Sequence, residues 1–277
     1  MESALDYLPE FLLIATFVTG VIWVVDRLRW RPRRLEALAE LDARTPEGER
    51  DADAYRISRE AVLREPPVME WGGSFFPVLA LVLVLRSFLY EPFVIPSGSM
   101  IPTLQVGDYI LVNKYHYGLR LPVFGTKVVD IAEPGRGDVM VFFPPHQDSY
   151  FIKRVVGLPG DRIRYGNKRL VINGEPVTAR LVAAMPPDNP DMLVIEEQLG
   201  DVLHRVHAYP SRRDRTREWV VPEDHYFMMG DNRDRSQDSR SWGFVPEENI
   251  VGKAVAVWMH KPPGLALPSF DRAGAIE

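Results

Sequence analysis

Two stretches near the N-terminus carry almost no charged residues. The first covers residues 8–25, and its length matches the roughly 17–25 apolar residues that span a bilayer as a helix. The second covers residues 71–90 and reaches that length only if Arg86 extends its side chain to the membrane interface. The pattern therefore predicts two transmembrane helices, at 8–25 and 71–90.

A cluster of arginines directly after the first stretch sets the expected orientation. Its members are Arg27, Arg29, Arg31, Arg33 and Arg34. Basic residues concentrate on the cytoplasmic side of membrane helices, so we expect residues 26–70 in the cytoplasm and residues 1–7 and 91–277 outside. The acidic N-terminus lacks the basic start of a cleavable signal peptide, so the first stretch should stay attached. A core helix of a soluble protein is the alternative, but it does not explain the one-sided cluster.

From residue 91 onward, short runs rich in Val, Ile, Tyr and Phe alternate with Pro and Gly. Such runs are typical of strands, and residues 109–112 and 151–156 are examples. The pattern predicts a large all-β domain over 91–277. Its more polar part, about 162–222, interrupts the denser runs and is expected to form a smaller inserted β subdomain. The fold class is thus mainly β, behind two N-terminal transmembrane helices.

Composition removes several classes of function. The net charge of −5 is spread over a mixed-sign sequence with no basic stripe, which argues against a nucleic-acid partner. The absence of cysteine excludes disulfides, thiolate metal sites and a cysteine nucleophile. Most basic residues are Arg, and the few lysines can therefore be considered one by one. They are Lys114, Lys127, Lys153, Lys168, Lys253 and Lys261.

A first candidate for chemistry lies just after the second apolar stretch. The sequence Pro96-Ser97-Gly98-Ser99-Met100 predicts a turn that could present a hydroxyl beside free backbone N–H groups. A serine in such a turn is more often an ordinary turn or capping residue. The motif becomes informative only together with a base.

Lys153 is the candidate base. None of the six histidines lies in an obvious motif with an Asp partner, whereas a buried lysine can lose its proton because burial disfavours its charged form. Lys153 sits in the apolar strand-like run 150–156. Strand alternation places Lys153 on one face and is expected to leave Arg154 solvated on the other. The alternative is an exposed lysine on an edge strand.

A third block, residues 230–243, is dense in Asp, Asn, Arg and Ser. Such a block suits a network of hydrogen bonds and ion pairs that orients a reactive pair. A polar turn and a calcium loop are the alternatives. Calcium is disfavoured because the arginines would oppose a cation and no bidentate Glu follows at the required position.

These three blocks, in this order behind two apolar segments, resemble bacterial type I signal peptidase, a family of serine–lysine endopeptidases. The resemblance covers about residues 90–260. It implies that Ser99 is the nucleophile, Lys153 the general base, Ser97 an oxyanion donor, and Ser236 a partner of the lysine amine. It also implies structural support from Asp231, Asn232, Asp238 and Arg240. Pockets for small substrate side chains would be lined by Phe93, Ile95, Pro96, Met100 and Ile152.

The resemblance further implies a cellular location and a substrate class. The protein would lie in the bacterial inner membrane with its catalytic domain outside, and would cleave signal peptides from exported preproteins after small residues. The implied partners are these preproteins, the lipid bilayer and the export machinery; no cofactor or metal is implied. Two other functions stay open, an inactive membrane-tethered peptide-binding module and a self-cleaving Ser–Lys protease. Some relatives carry a disulfide in the noncatalytic subdomain, which this chain cannot form.

Overall fold

A computed structural model describes residues 8–120, 127–212 and 215–276 of the chain. The predicted exterior segment 1–7 lies outside the described residues. Contacts divide the chain into two compact units, Met1–Arg86 and Ser87–Glu277. The first unit is helical and the second is mainly β.

Four α-helices are described in the N-terminal part of the chain. They are α1 (Leu8–Val25), α2 (Arg31–Arg44), α3 (Asp53–Leu63) and α4 (Pro67–Phe88). A π-helical turn, Asp26–Trp30, continues α1 directly into α2. Helix α4 begins four residues before the predicted start at 71, because Pro67 suits the first turn of a helix, where its missing N–H has no partner to lose.

Two of these helical segments, Glu10–Arg44 and Pro67–Ser87, are long and apolar enough to cross a membrane. Their large side chains are mostly exposed, Phe17 for example to 71%. Helices α1 and α4 pack closely at two glycines: a Cβ at Gly20 would meet the Phe76 ring, and a Cβ at Gly72 would meet Ile22. Small residues permit this close approach of helix backbones in a bilayer.

The second unit is built from strands. Those in the described residues are β1 (Tyr90–Val94), β2 (Asp108–Asn113), β3 (Gly118–Arg120), β4 (Lys127–Asp130), β5 (Val139–Phe142), β6 (Phe151–Gly157), β7 (Arg162–Gly166), β8 (Arg169–Ile172), β9 (Glu175–Pro176), β10 (Ala179–Met185), β11 (Met192–Leu199), β12 (Val202–Ala208), β13 (Arg217–Val220), β14 (His225–Met229), β15 (Val245–Pro246), β16 (Ile250–His260) and β17 (Gly274–Ala275). A short helix, α5 (Ser239–Trp242), follows β14.

The main sheet has eight strands in the order β1-β2-β16-β5-β6-β14-β15, with β17 added beside β16. All pairs are antiparallel. Strand β6 lies in the middle, between β5 and β14, and six of its seven residues are buried. Three clusters of buried apolar side chains pack around the sheets and form the core.

The segment between β6 and β14 forms two further sheets, β10-β11-β12 and β13-β7-β8-β9. Two-residue turns join β7 to β8, β8 to β9, and β11 to β12. Asn173 and Gly174 join β8 to β9 with positive φ at both positions, which is what a type I′ hairpin turn requires and why Asn-Gly is favoured there. The mainly β fold class behind two apolar N-terminal helices is confirmed.

Candidate active site

Ser99 lies in a short 3₁₀ turn, Gly98–Met100, that follows strand β1. Two backbone hydrogen bonds of Ile95 fix the approach to this turn: its N–H donates to Asp108 (2.9 Å) and its carbonyl accepts from Gly107 (2.9 Å). Ser99 itself is buried. The turn therefore holds the hydroxyl at a defined position against the main sheet.

Lys153 projects from the central strand β6 toward this turn. Its Nζ lies 2.8 Å from Ser99 Oγ and 2.7 Å from the carbonyl oxygen of Ile152. Lys153 is only 4% exposed, and its Nζ also lies 5.1 Å from the centre of the Phe151 ring. The two predicted catalytic residues thus form a close, buried pair.

Burial lowers the pKa of the Lys153 ammonium to about 8, although Asp238 and Asp231 act in the opposite direction. Burial has the larger effect on this pKa because water is replaced by apolar side chains, which solvate a charge poorly. About a tenth of the lysine is then neutral at pH 7, far more than for an ordinary lysine. A neutral amine this close to a hydroxyl can accept its proton.

Arg154, the next residue on β6, is fully buried, so the expectation that it would be solvated is wrong. Its guanidinium makes two hydrogen bonds of 2.9 Å to the Asp231 carboxylate and one of 2.8 Å to the carbonyl of Gly137. The simple alternation argument fails because both faces of β6 are covered. A buried cation then needs a buried anion, which Asp231 supplies.

Asp231 and Asn232 are adjacent in sequence. Asp231 binds Arg154, and Asn232 binds the turn that carries Ser99. Burial alone would raise the pKa of Asp231, but the Arg154 guanidinium keeps it below its usual value. The backbone N–H of Asn232 donates to the carbonyl of Ser99 (3.0 Å), and its side-chain amide donates to the carbonyl of Gly98 (2.9 Å). Asn232 therefore clamps the backbone of the serine turn.

Asp238 and Arg240 close the loop that carries these residues. Asp238 caps α5 by accepting from the N–H of Arg240, and it also accepts from the N–H of Gly230 (3.0 Å). The Arg240 guanidinium donates to both carboxylate oxygens of Asp238 (2.8 Å each) and to the carbonyl of Arg233. Charge-assisted bonds of this kind stiffen a loop.

Comparisons with known proteins match the part of the chain that contains this site. A family model described as "Signal peptidase, peptidase S26" matches residues 68–259, well over half of the protein. The chain belongs to the S26 signal peptidase family. A signal peptidase I of Pseudomonas aeruginosa is 49% identical over 97% of this chain and 98% of its own length. One from Pseudomonas fluorescens is 50% identical with the same coverage.

A solved structure of a signal peptidase I from Enterococcus faecalis is 30% identical to this chain. It aligns with a TM-score of 0.31, covering 45% of this chain and 98% of that one.

In this S26 peptidase the remaining predicted site residues surround the Ser99 turn. The Ser97 hydroxyl is 3.4 Å from Ser99 Oγ. The residues expected to line substrate pockets divide into a buried set (Ile95, Met100 and Ile152, all in one core cluster) and a more accessible set (Phe93 and Pro96). Met100 has no exposed surface, so it supports this region from beneath.

Ser236 does not make the bond expected of it. Its Oγ is buried and has no hydrogen-bond partner among the described residues, so the implied bond to the Lys153 amine is not formed. The hydroxyl instead packs against Gly230. A Cβ built on Gly230 would lie 2.3 Å from Ser236 Oγ and 2.5 Å from the carbonyl oxygen of Ser99.

Gly230→Ala should therefore lower the rate of substrate cleavage by about 100-fold, because the added methyl must push the Ser99 carbonyl away, and misplacement of a reacting group by about 1 Å can cost that much. Initial rates with a precursor protein measure the effect. Gly274→Ala is the matched control, since nothing lies within 4 Å of its added methyl. Equal rates for the two variants would contradict the packing described.

Sequence reasoning missed several residues of the site. Thr103 donates to Asp231 (2.5 Å), and Glu197 from strand β11 binds Arg233. Both contacts join segments that are far apart in sequence, so no local pattern marks them. An arginine next to Lys153 inside an apolar strand was the one available signal for a buried ion pair.

Among the described residues, no group of three or more His, Asp or Glu is arranged to hold a metal ion.

Proposed function

We propose that this S26 peptidase removes signal peptides from exported preproteins, with Ser99 as nucleophile and Lys153 as general base. One observation carries the proposal: a buried lysine amine lies 2.8 Å from a serine hydroxyl, at the pKa of about 8 that burial gives it. The membership of the chain in a signal peptidase family supports the substrate class.

Acylation begins with neutral Lys153. Its amine takes the Ser99 proton while Oγ attacks the carbonyl carbon of the scissile peptide bond. The resulting oxyanion is stabilised by the backbone N–H of Ser99 and the hydroxyl of Ser97. The lysine ammonium then gives its proton to the departing amine, the C–N bond breaks, and an acyl ester remains on Ser99.

Deacylation repeats these roles with water. Neutral Lys153 takes a proton from a water molecule, which attacks the ester and forms a second oxyanion at the same donors. The ester bond breaks, Ser99 recovers its proton from the ammonium, and the signal peptide leaves with a new carboxylate. Asn232 contributes by holding the Ser99 and Gly98 carbonyls, which keeps Oγ in line with the amine throughout.

Substrate choice would come from the apolar surface beside the serine turn. Phe93 and Pro96 are accessible there, while Ile95 and Ile152 are packed into the core cluster and leave little depth. A shallow pocket accepts Ala or Gly and excludes larger side chains by overlap. We therefore expect cleavage after small residues, with a second small residue two positions earlier.

The proposed setting is the inner membrane. The two candidate spans would place residues 26–70 in the cytoplasm and residues 91–277 outside, where exported preproteins emerge, and the arginine cluster after α1 supports this orientation. The lipid bilayer and the export machinery are the expected partners. A substrate whose targeting segment is itself in the bilayer would meet the catalytic unit there.

The cleavage site tests this function. The detergent-solubilised protein is incubated with a purified precursor that ends its signal peptide in Ala-x-Ala, and the product is sequenced from its N-terminus. We expect one cut directly after the motif and none when either Ala is replaced by Phe. Binding without cleavage would favour the inactive peptide-binding module, and cutting only of the enzyme's own chain would favour the self-cleaving protease.

The rate of cleavage should depend on pH through Lys153. Only the neutral amine can act as base, so kcat/KM should rise about tenfold per pH unit below pH 8 and level off above it, where the lysine has lost its proton. Initial rates from pH 6 to 9.5 measure the profile. A rate that is flat from pH 6 to 9 would show that no group with this pKa is the base.

A further inference from the structure

The turn that clamps Ser99 is also held from its far side, by the segment between β6 and β14. Arg233 follows Asn232 directly, and its guanidinium donates to both carboxylate oxygens of Glu197 on strand β11 (2.9 and 2.5 Å). Both side chains are only 2% exposed. Such a bidentate pair, cut off from water, fixes both distance and orientation.

Backbone contacts from strand β12 reinforce this attachment. The N–H of His207 donates to the carbonyl of Asp231 (2.8 Å), and His207 forms an isolated parallel bridge with Asn232. The next turn residue, Asp234, accepts from the N–H of Tyr209 (2.7 Å) and pairs with Lys168 (2.6 Å). The two smaller sheets thus reach the turn at several successive positions.

We infer that Glu197 is a positioning residue for catalysis, and that the inserted sheets act as part of the active site through it. The inference rests on the proposed function, because it assigns Glu197 the task of keeping Asn232 against the Ser99 turn. The path is short: Glu197 holds Arg233, the adjacent Asn232 holds the carbonyls of Gly98 and Ser99, and Ser99 Oγ stays beside Lys153 Nζ.

Loss of the Glu197 charge leaves the buried Arg233 cation without its anion. A buried, unpaired guanidinium is strongly unfavourable, so the turn must shift until Arg233 reaches water or another acceptor. Such a shift withdraws the two donors of Asn232 from the serine turn. Misplacement of about 1 Å at a reacting group can cost on the order of 100-fold in rate.

The test compares three variants in steady-state cleavage of an Ala-x-Ala precursor. Glu197→Gln should lower kcat about 100-fold with KM within threefold of the parent, because the serine moves and the apolar surface does not. Glu197→Asp, which keeps the charge on a shorter side chain, should recover kcat to within about tenfold of the parent. Glu196→Gln is the matched control, since the neighbouring Glu196 pairs with the exposed Arg180.

Hydrogen exchange distinguishes a role of Glu197 in positioning the serine turn from a general role in stabilising the fold. The Asn232 amide, which is bonded to the Ser99 carbonyl, should exchange faster in Glu197→Gln than in the parent, while amides of the central strand β6 stay protected. Slow, parent-like exchange at Asn232, or a loss that falls on KM alone, would overturn the inference. If Glu197→Gln does not fold, Glu197→Asp decides, because the inference predicts a kcat three- to tenfold low with faster Asn232 exchange.

Ser99→Ala, assayed beside these variants, tells the two proposals apart. If Ser99→Ala cleaves like the parent, the proposed function is wrong. If Ser99→Ala is inactive and Glu197→Gln cleaves like the parent, only the role of Glu197 is wrong.

Discussion

Lys153→Met is expected to lower kcat for precursor cleavage by about 10⁴-fold, the upper end of what a general base contributes. Methionine has nearly the length of the aliphatic part of lysine and fits the same buried space, but it cannot accept a proton. Without the amine, the Ser99 hydroxyl keeps its proton and attacks far more slowly. Initial rates at pH 9, where the parent lysine is mostly neutral, measure the loss.

The same substitution at a second lysine is the control. Lys261 directly follows β16, and only its backbone N–H bonds toward the serine turn, through the carbonyl of Gly107. Lys261→Met keeps that backbone bond and should leave kcat within twofold of the parent. The Lys153→Met variant should also melt no lower than the parent, because it no longer carries a group whose charge is disfavoured by burial. Activity within tenfold of the parent would contradict the assignment of the base.

Asp231→Asn is expected to produce the largest loss of stability. It leaves the fully buried Arg154 without its anion, and removal of one partner of a buried ion pair costs about 3–5 kcal/mol. At about 2–4 °C per kcal/mol for a domain of this size, the melting temperature should fall by roughly 10 °C. Tryptophan fluorescence of the detergent-solubilised protein, followed during heating, measures the change.

An exposed pair provides the matched comparison for this prediction. Arg162 and Glu218 are joined at 2.8 Å, but their side chains are 65% and 43% exposed. Glu218→Gln should change stability by less than about 0.5 kcal/mol, since water solvates both charges already. If Asp231→Asn melted within 2 °C of the parent, the Arg154 pair would not be the stabilising contact that its burial indicates.

Local sequence signals reached the two reactive residues but not all of their surroundings. Lys153 stood out as a rare lysine in an apolar strand, and Ser99 as a serine in a Gly-containing turn. They are 54 positions apart, and the structure brings them to 2.8 Å. The family resemblance pairs these two residues from sequence alone, and the roles that it implies for them remain predictions.

The side-chain environments that sequence reasoning missed or predicted wrongly depend on contacts between distant segments, which a local sequence pattern does not show. Arg154 was expected in water because alternation on a strand implies one solvent-exposed face, whereas side chains on both faces of β6 are buried. Glu197 was missed because its partner Arg233 lies 36 residues away, and a single Glu in a strand carries no mark of burial. Ser236 was expected on the lysine amine, yet it packs against Gly230.

The most direct measurement of the central claim is the initial rate of precursor cleavage by Ser99→Ala beside the parent, with the product sequenced from its N-terminus. The account predicts that the parent cuts after the Ala-x-Ala motif and that Ser99→Ala, folded and melting like the parent, falls to background. Cleavage by Ser99→Ala at the same bond, within tenfold of the parental rate, would show that another group attacks the peptide bond.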